Sequence, residues 1–209
     1  MYAQYVQQSR NNYGNSILPQ KINGEDFPIP FSTNEILDVV ENRESFRLFN
    51  VEDREVSIEQ LNTIVSHLQQ CINFFGLTNL VRICFIDHAN LFEESISAQR
   101  FSEDKWTKLR DHIGNKEADF LYLQKEMHYA SGVIYFEWDV NALASRDNLL
   151  DYKYVLAISG LLGHQASLVV SKMSLKGTVF AGITLVEFLE EIARDREMNY
   201  LPVFAYAIQ

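Results

Sequence analysis

Cysteine is nearly absent: the 209 residues contain two, Cys71 and Cys84. Both lie in apolar surroundings without metal-ligand spacing, so buried thiols in a reducing cytoplasm are expected. Cations are scarce as well, with 18 Lys and Arg against 28 Asp and Glu and a net charge of -10. That balance argues against nucleic acid as a partner, because binding its backbone depends on Lys and Arg neutralising phosphates. Of four prolines, Pro19, Pro28 and Pro30 fall within residues 1–31, a stretch with many Gln and Asn and no periodicity. It reads as an irregular arm anchored by Tyr2, Tyr5, Phe27 and Phe31. The five histidines (67, 88, 112, 128 and 164) show no paired ligand spacing, so no metal is expected. Residues 1–10 are polar and lack the apolar centre of a secretory signal. No apolar run looks long enough to cross a bilayer, and no internal repeat or low-complexity block occurs. These absences together imply a cytoplasmic protein with no membrane association.

What is present is a globular composition, 47% hydrophobic and 12% aromatic, sufficient for one core-bearing domain over residues 32–209. Its spine is the stretch from Asp151 to Gly182. Val155, Leu156, Leu162, Ala166, Val169, Val170 and Met173 recur every three or four positions and describe a wide apolar helix face. Small residues interleave with them: Ala157, Ser159, Gly160, Gly163 and Ser167. A helical glycine costs about 1 kcal/mol relative to alanine, so the pair at 160 and 163 implies close approach of another backbone, within the chain or from a second copy. Lys176-Gly177 reads as the helix end, with glycine as a left-handed cap. Thr178 to Ile183 follows as a buried strand.

Around this spine, Ser32-x-x-Glu35 and Ser57-x-x-Gln60 are capping boxes opening two helices. Leu80 to Ile86 and Gly132 to Phe136 read as strands. Residues 91–113 read as two short surface helices and 118–130 as an amphipathic one. Thr184-x-x-Glu187 caps a further helix. Tyr200 to Ile208 reads as a closing strand whose Pro202 suits an edge or a strand start. Helices interleaved with about four strands give an α+β fold with a central mixed sheet.

Two motifs carry chemistry. Arg43-x-Ser45-x-Arg47 offers two guanidiniums and a hydroxyl, a donor set suited to a phosphate dianion, though it also suits a solvated helix end. Lys153-Tyr154 opens the glycine-punctuated spine helix and, on the residues alone, reads as a snorkelling lysine beside a core tyrosine. In this order, with a Val-Ser-x-x-Gln-Leu helix between them, they resemble the nitroreductase superfamily, and in it the SagB-type azoline dehydrogenases of thiazole/oxazole-modified peptide pathways. The resemblance spans roughly residues 32–208.

It implies a nitroreductase-like fold with a long central helix, and a homodimer sharing two FMN sites. Arg43, Ser45, Arg47, Gly177, Ala181 and Gly182 would bind the cofactor, with Lys153 and Tyr154 as the catalytic pair. The implied activity is FMN-dependent dehydrogenation of azoline rings in a peptide, with other subunits of a modification complex as partners. A nicotinamide-dependent nitro or quinone reductase and a flavin-free scaffold subunit remain alternatives. Two departures from the family pattern stand out. Asn73 to Asn79 occupies the place of the usual Pro-Ser and Asn-x-Gln-Pro segment, and the basic extension expected after Gln209 is missing. For both catalytic side chains to face one pocket, the helix is expected to start near Asp151.

Overall fold

The computed structural model describes residues 27–53, 56–110, 112–114, 120–144, 149–180, 182–184, 188 and 199–209. Helix α1 (Thr33–Asn42) and helix α2 (Ile58–Phe74) both start at the capping boxes. At α1, Glu35 accepts from the Ser32 backbone N–H and hydroxyl, each at 2.8 Å. At α2, Ser57 and Gln60 exchange bonds of 2.8 and 3.2 Å. These contacts satisfy amides that the first helical turn leaves without partners.

Strand β1 (Val81–Asp87) follows, then β2 (Ser97–Ser102), β3 (Lys105–Arg110) and β4 (Gly132–Asp139). The short helix α3 (Val140–Ala144) and the long helix α4 (Leu149–Lys172) lead to β5 (Gly177–Phe180) and β6 (Tyr200–Ile208). The six strands form one sheet in the order β3-β2-β1-β4-β6-β5.

The α+β architecture and the long central helix are as the sequence implies, with four local differences. Every described strand pairing is antiparallel, so the sheet is not mixed. Residues 91–113 supply the β2–β3 hairpin instead of surface helices, held by Trp106, whose ring packs on Phe85, Phe92 and Phe101 at 5.1–6.1 Å. Within 118–130, the described residues are a helical Phe120, a β-bridge from Tyr122 to Ile183 and a 3-10 helix at Lys125–Tyr129, not one continuous helix. Pro202 lies in an interior strand, at the register shift opposite Glu137. Since β5 pairs only with residues 205–208 of β6, the missing proline N–H removes no bond on that side. The helix expected after Thr184 lies mostly outside the described residues.

Strand alternation divides the sheet between two cores. Ile83, Phe85, Ile134, Phe136, Trp138, Tyr206 and Ile208 meet α2 and α4 on one face. Cys84, Ile86, Val133, Tyr135, Ala205 and Ala207 meet Phe49, Ile96, Ile113, Met127 and Phe188 on the other. The segment Lys153–Lys172 is, by length and a hydropathy of 1.4, apolar enough to cross a membrane, contrary to the sequence reading. Its apolarity has a place inside the fold, where 61% of that window is buried.

The small residues of α4 also find partners within the chain. Ser159 accepts the Trp138 indole N–H at 2.9 Å. A Cβ on Gly163 would come within 2.5 Å of the Phe204 ring, so β6 fills that groove, not a second copy. Gly160, by contrast, faces open space, and Ala157 is exposed. The helix ends earlier than Gly177. Ser174 takes the left-handed conformation at φ 58, and Leu175 N–H closes on Val170 O at 3.0 Å. With Ser174 N–H to Ser171 O, this is a complete Schellman motif.

Candidate functional site

The residue after α1 is Arg43, extended at φ -71 and ψ 117 and half-buried. From it the chain runs across one end of the sheet. Phe46 N–H donates to Gly177 O at 2.9 Å, joining this segment to the first residue of β5. Lys176 N–H and Gln209 N–H donate to each other's carbonyls at 2.7 and 2.8 Å. Gln209 then grips Asn50 through its side-chain amide, accepting from the Asn50 N–H at 3.3 Å and donating to its carbonyl. The whole 43–50 segment is therefore fastened to the sheet end. Phe46 and Phe49 turn inward, with rings 5.5 Å apart, and Lys176 lies 4.7 Å from the Phe46 ring. Ser45 and Arg47 are left exposed.

Arg43 lies near the Tyr206 hydroxyl, and its charge partly offsets the burial that pushes that phenol above its usual range. Gly177 is needed at this spot: a Cβ there would stand 2.6 Å from both the Tyr206 hydroxyl and Ala207 O. Sequence reasoning missed Tyr206, because a tyrosine in an apolar strand carries no signal beyond burial. Gly182 is buried, accepts from Leu123 N–H at 2.7 Å, and would bring a Cβ within 3.1 Å of Leu123. Ala181 lies outside the described residues.

Lys153 and Tyr154 occupy a different place. Helix α4 is already formed at Leu149, so Asp151 is a helical residue and not the N-cap. Adjacent helical residues diverge by about 100°, and the pair does so: Lys153 is exposed while Tyr154 is half-buried against the α2–α4 core. Burial raises the Tyr154 phenol, and its hydroxyl finds no acceptor among the described residues. Lys172, at the other end of α4, bonds Glu35 at 3.4 Å and Pro30 O at 2.9 Å. That end of the helix is the one near Arg43. From Lys153 to Lys172 is about 28 Å at 1.5 Å per residue. The chain thus brings Arg43, Ser45, Arg47 and Gly177 together and sets Lys153 apart.

A second feature had no sequence signal. His88, His112 and His128 come from separate elements to line a cavity of about 820 Å3 with Asn90, Glu94, Ser95 and Tyr129. His88 Nδ1–H donates to Ala130 O at 3.3 Å, and its Nε2 lies 2.9 Å from the Tyr122 hydroxyl. Among the described residues no group of His, Cys, Asp or Glu could hold a metal ion.

Solved structures share this overall fold. The chain has the nitroreductase fold. It superposes on a protein of Anabaena variabilis described as a nitroreductase with a TM-score of 0.71 at 16% identity, covering 88% of this chain and 40% of that one. It is likewise similar to the Escherichia coli microcin synthetase McbBCD complex with truncated pro-MccB17 bound, at TM-score 0.62 and 11% identity, over 95% of this chain and 79% of that chain. The NADPH:FMN oxidoreductase of Vibrio harveyi complexed with NAD+ matches at TM-score 0.54 and 16% identity, over 84% and 68%. No family model and no curated protein sequence matches.

Proposed function

We propose that the chain binds FMN and acts, as a homodimer, in dehydrogenating azoline rings of a peptide. The observation carrying this reading is the Arg43–Arg47 segment, tied to β5 through the 2.9 Å Phe46–Gly177 bond on a nitroreductase fold. Its donor set fits a phosphate dianion: Ser45 and Arg47 are exposed beside half-buried Arg43, and guanidinium forms forked charge-assisted bonds. FMN, when bound, supplies the two-electron acceptance. Arg43, Ser45 and Arg47 would hold its phosphate, with Gly177, Ala181 and Gly182 as the further cofactor-binding residues. Lys153 would take the proton from the substrate ring carbon, with Tyr154 as the second member of the catalytic pair. The microcin synthetase likeness supports a peptide substrate and companion subunits.

Purified protein is expected to carry visible flavin absorbance. Losing one charge-assisted contact costs roughly 1.5–3 kcal/mol, so Arg43→Ala with Arg47→Ala should weaken FMN binding by well over tenfold. Undiminished retention in that variant, or wild-type protein that takes up no FMN, overturns the reading.

One observation favours the plainer nitro or quinone reductase: Lys153 and Tyr154 do not face one pocket in the single chain. On that reading Lys153→Ala leaves nitroarene reduction unchanged. On the azoline reading it costs about a hundredfold in ring oxidation, the usual share of acid–base catalysis, with FMN still bound.

A further inference from the structure

Gln209 continues the β5–β6 ladder one step past the Gly177–Ile208 pair, exchanging backbone bonds with Lys176 at 2.7 and 2.8 Å. Side chains alternate along a strand, so Gln209 falls on the face of Ala205 and Ala207, where Phe49 is buried. It is 6% exposed, and its carboxamide meets the main chain of Asn50. Oε1 accepts from the Asn50 N–H at 3.3 Å while Nε2 donates to the Asn50 carbonyl. A carboxamide offers the same donor and acceptor types as a peptide group. Here it stands in for a further strand residue, pairing with both main-chain groups of Asn50 as a β-partner does. The Asn50 carbonyl also accepts from Asp53 N–H at 3.1 Å, and its side chain from Glu52 N–H at 3.3 Å. Asn50 thus starts the 3-10 turn Val51–Asp53 and takes its place on the sheet from Gln209.

Arg47 lies between two polar ties. On one side Phe46 N–H donates to Gly177 O at 2.9 Å, and on the other Asn50 is gripped by Gln209. Arg47 and Leu48 are exposed, Leu48 at 84%, whereas the next residue, Phe49, is buried. Exposed side chains contribute little packing of their own, so the path of the chain through Arg47 follows from its two anchored ends. With the Asn50 end released, Arg47 is tied from the Phe46 side and by the Phe49 ring alone. Donors that are already ordered bind more tightly, because less freedom is lost when the ligand arrives.

We infer that Gln209 is a positioning residue for Arg47: its carboxamide pins Asn50 to the sheet end and so holds the Arg47 guanidinium ready for an anion. That this anion is the FMN phosphate rests on the proposed flavin reading; the clamp on the backbone does not. Gln209 acts through the main chain of Asn50 and needs no contact with the ligand.

Two measurements on the full chain separate the clamp from the flavin reading. The first uses cofactor-free protein and trypsin, which cuts after Arg47 when the segment opens locally. Gln209→Met, of similar length but with neither donor nor acceptor of that strength, is expected to speed the Arg47–Leu48 cut about tenfold or more. Cleavage at other sites should not change. Gln209→Glu keeps an acceptor for the Asn50 N–H but sets a carboxylate against the Asn50 carbonyl. It serves where the methionine variant does not fold, and is expected to speed the same cut. An Arg47–Leu48 cut that keeps its rate relative to the other sites overturns the clamp. The second measurement is the FMN dissociation constant, read from quenching of flavin fluorescence, in a cycle with Arg47→Ala. Gln209→Met is expected to weaken FMN binding up to about tenfold in the chain that has Arg47, and not in the chain that lacks it. Equal weakening in both backgrounds, or none in either, overturns the positioning role. Wild-type protein that takes up no FMN defeats the flavin reading instead, and the rate of the trypsin cut then decides whether Gln209 holds Arg47.

Discussion

His67 shows how one buried side chain couples the two long helices. It lies on α2 at 7% exposure, with Nε2 3.0 Å from Gln165 Oε1 on α4 and 3.6 Å from Cys71 Sγ. An amide oxygen only accepts, so Nε2 carries the proton and donates. Burial lowers the His67 pKa below 6.5, and the Gln165 bond opposes this only in part. The sign follows from linkage. Above pH 6.5 both folded and unfolded forms are neutral and stability is complete. Below it the unfolded chain takes up a proton that the folded one resists, so stability falls until the lowered folded pKa is reached. Unfolding free energy should therefore drop between pH 7 and 5.5, by at most about 1.4 kcal/mol per pH unit from this group. Denaturant titration at the two pH values measures it, and His67→Asn should flatten that part of the dependence. The neighbouring Cys71 is pushed up to about 12, chiefly by burial. Since the thiolate is the reactive form, a thiol reagent should modify Cys71 only as fast as the protein unfolds, and native-state labelling at pH 7 within minutes would contradict this.

Elements whose boundaries depend on local chemistry were legible, and those set by unusual backbone were not. The two capping boxes read directly because Ser32 with Glu35, and Ser57 with Gln60, are side chains that make the cap themselves. The β2–β3 hairpin escaped detection because its two-residue loop is Glu103-Asp104, both at positive φ (52 and 57), where Asn-Gly is the usual signal. The end of α4 was misplaced for the same reason: Ser174, not the nearby glycine, takes the left-handed position. Positive φ costs a residue with a Cβ about 1 kcal/mol or more, which these positions retain as strain. Glu103→Asn with Asp104→Gly should raise unfolding free energy by about 1–2 kcal/mol, and Ser174→Gly by a few tenths to about 1 kcal/mol. Chemical denaturation of each variant checks the sign; an unchanged or lowered midpoint would show that other contacts of these side chains outweigh the strain. Gly163 argues the reverse. Phe204 already fills the space beside it, so Gly163→Leu should destabilise the folded chain by about 1–3 kcal/mol or more through overpacking, with no dependence on protein concentration.

At the scale of the molecule, the order of the Arg43 motif and Lys153 along the chain is plain from the sequence, but how far apart they lie is not. Order is a local property, whereas separation depends on the full length of α4, and Lys153 and Lys172 are about 28 Å apart along it. Because α4 ends near Arg43 and begins at Leu149, one chain cannot bring Lys153 to the cofactor segment it carries itself. A homodimer with two-fold symmetry removes that conflict, since Lys153 of one copy can approach the Arg43 segment of the other. The outer stripe of α4 is suited to such a contact. Lys153, Leu156 at 44% exposure, Ala157, Gly160 and His164 are left uncovered or partly so by the chain's own packing. Complementation between two inactive variants follows. A protein carrying Lys153→Ala and one carrying Arg43→Ala with Arg47→Ala should each lack ring-oxidising activity alone. Mixed in equal amounts and allowed to exchange subunits, half the dimers hold one of each, with one intact site of two. Activity should then recover to about a quarter of the wild-type value. Recovery absent despite subunit exchange, confirmed by mass-tagged chains, would overturn the shared site, whereas a Lys153→Ala protein that keeps its activity would remove Lys153 from it.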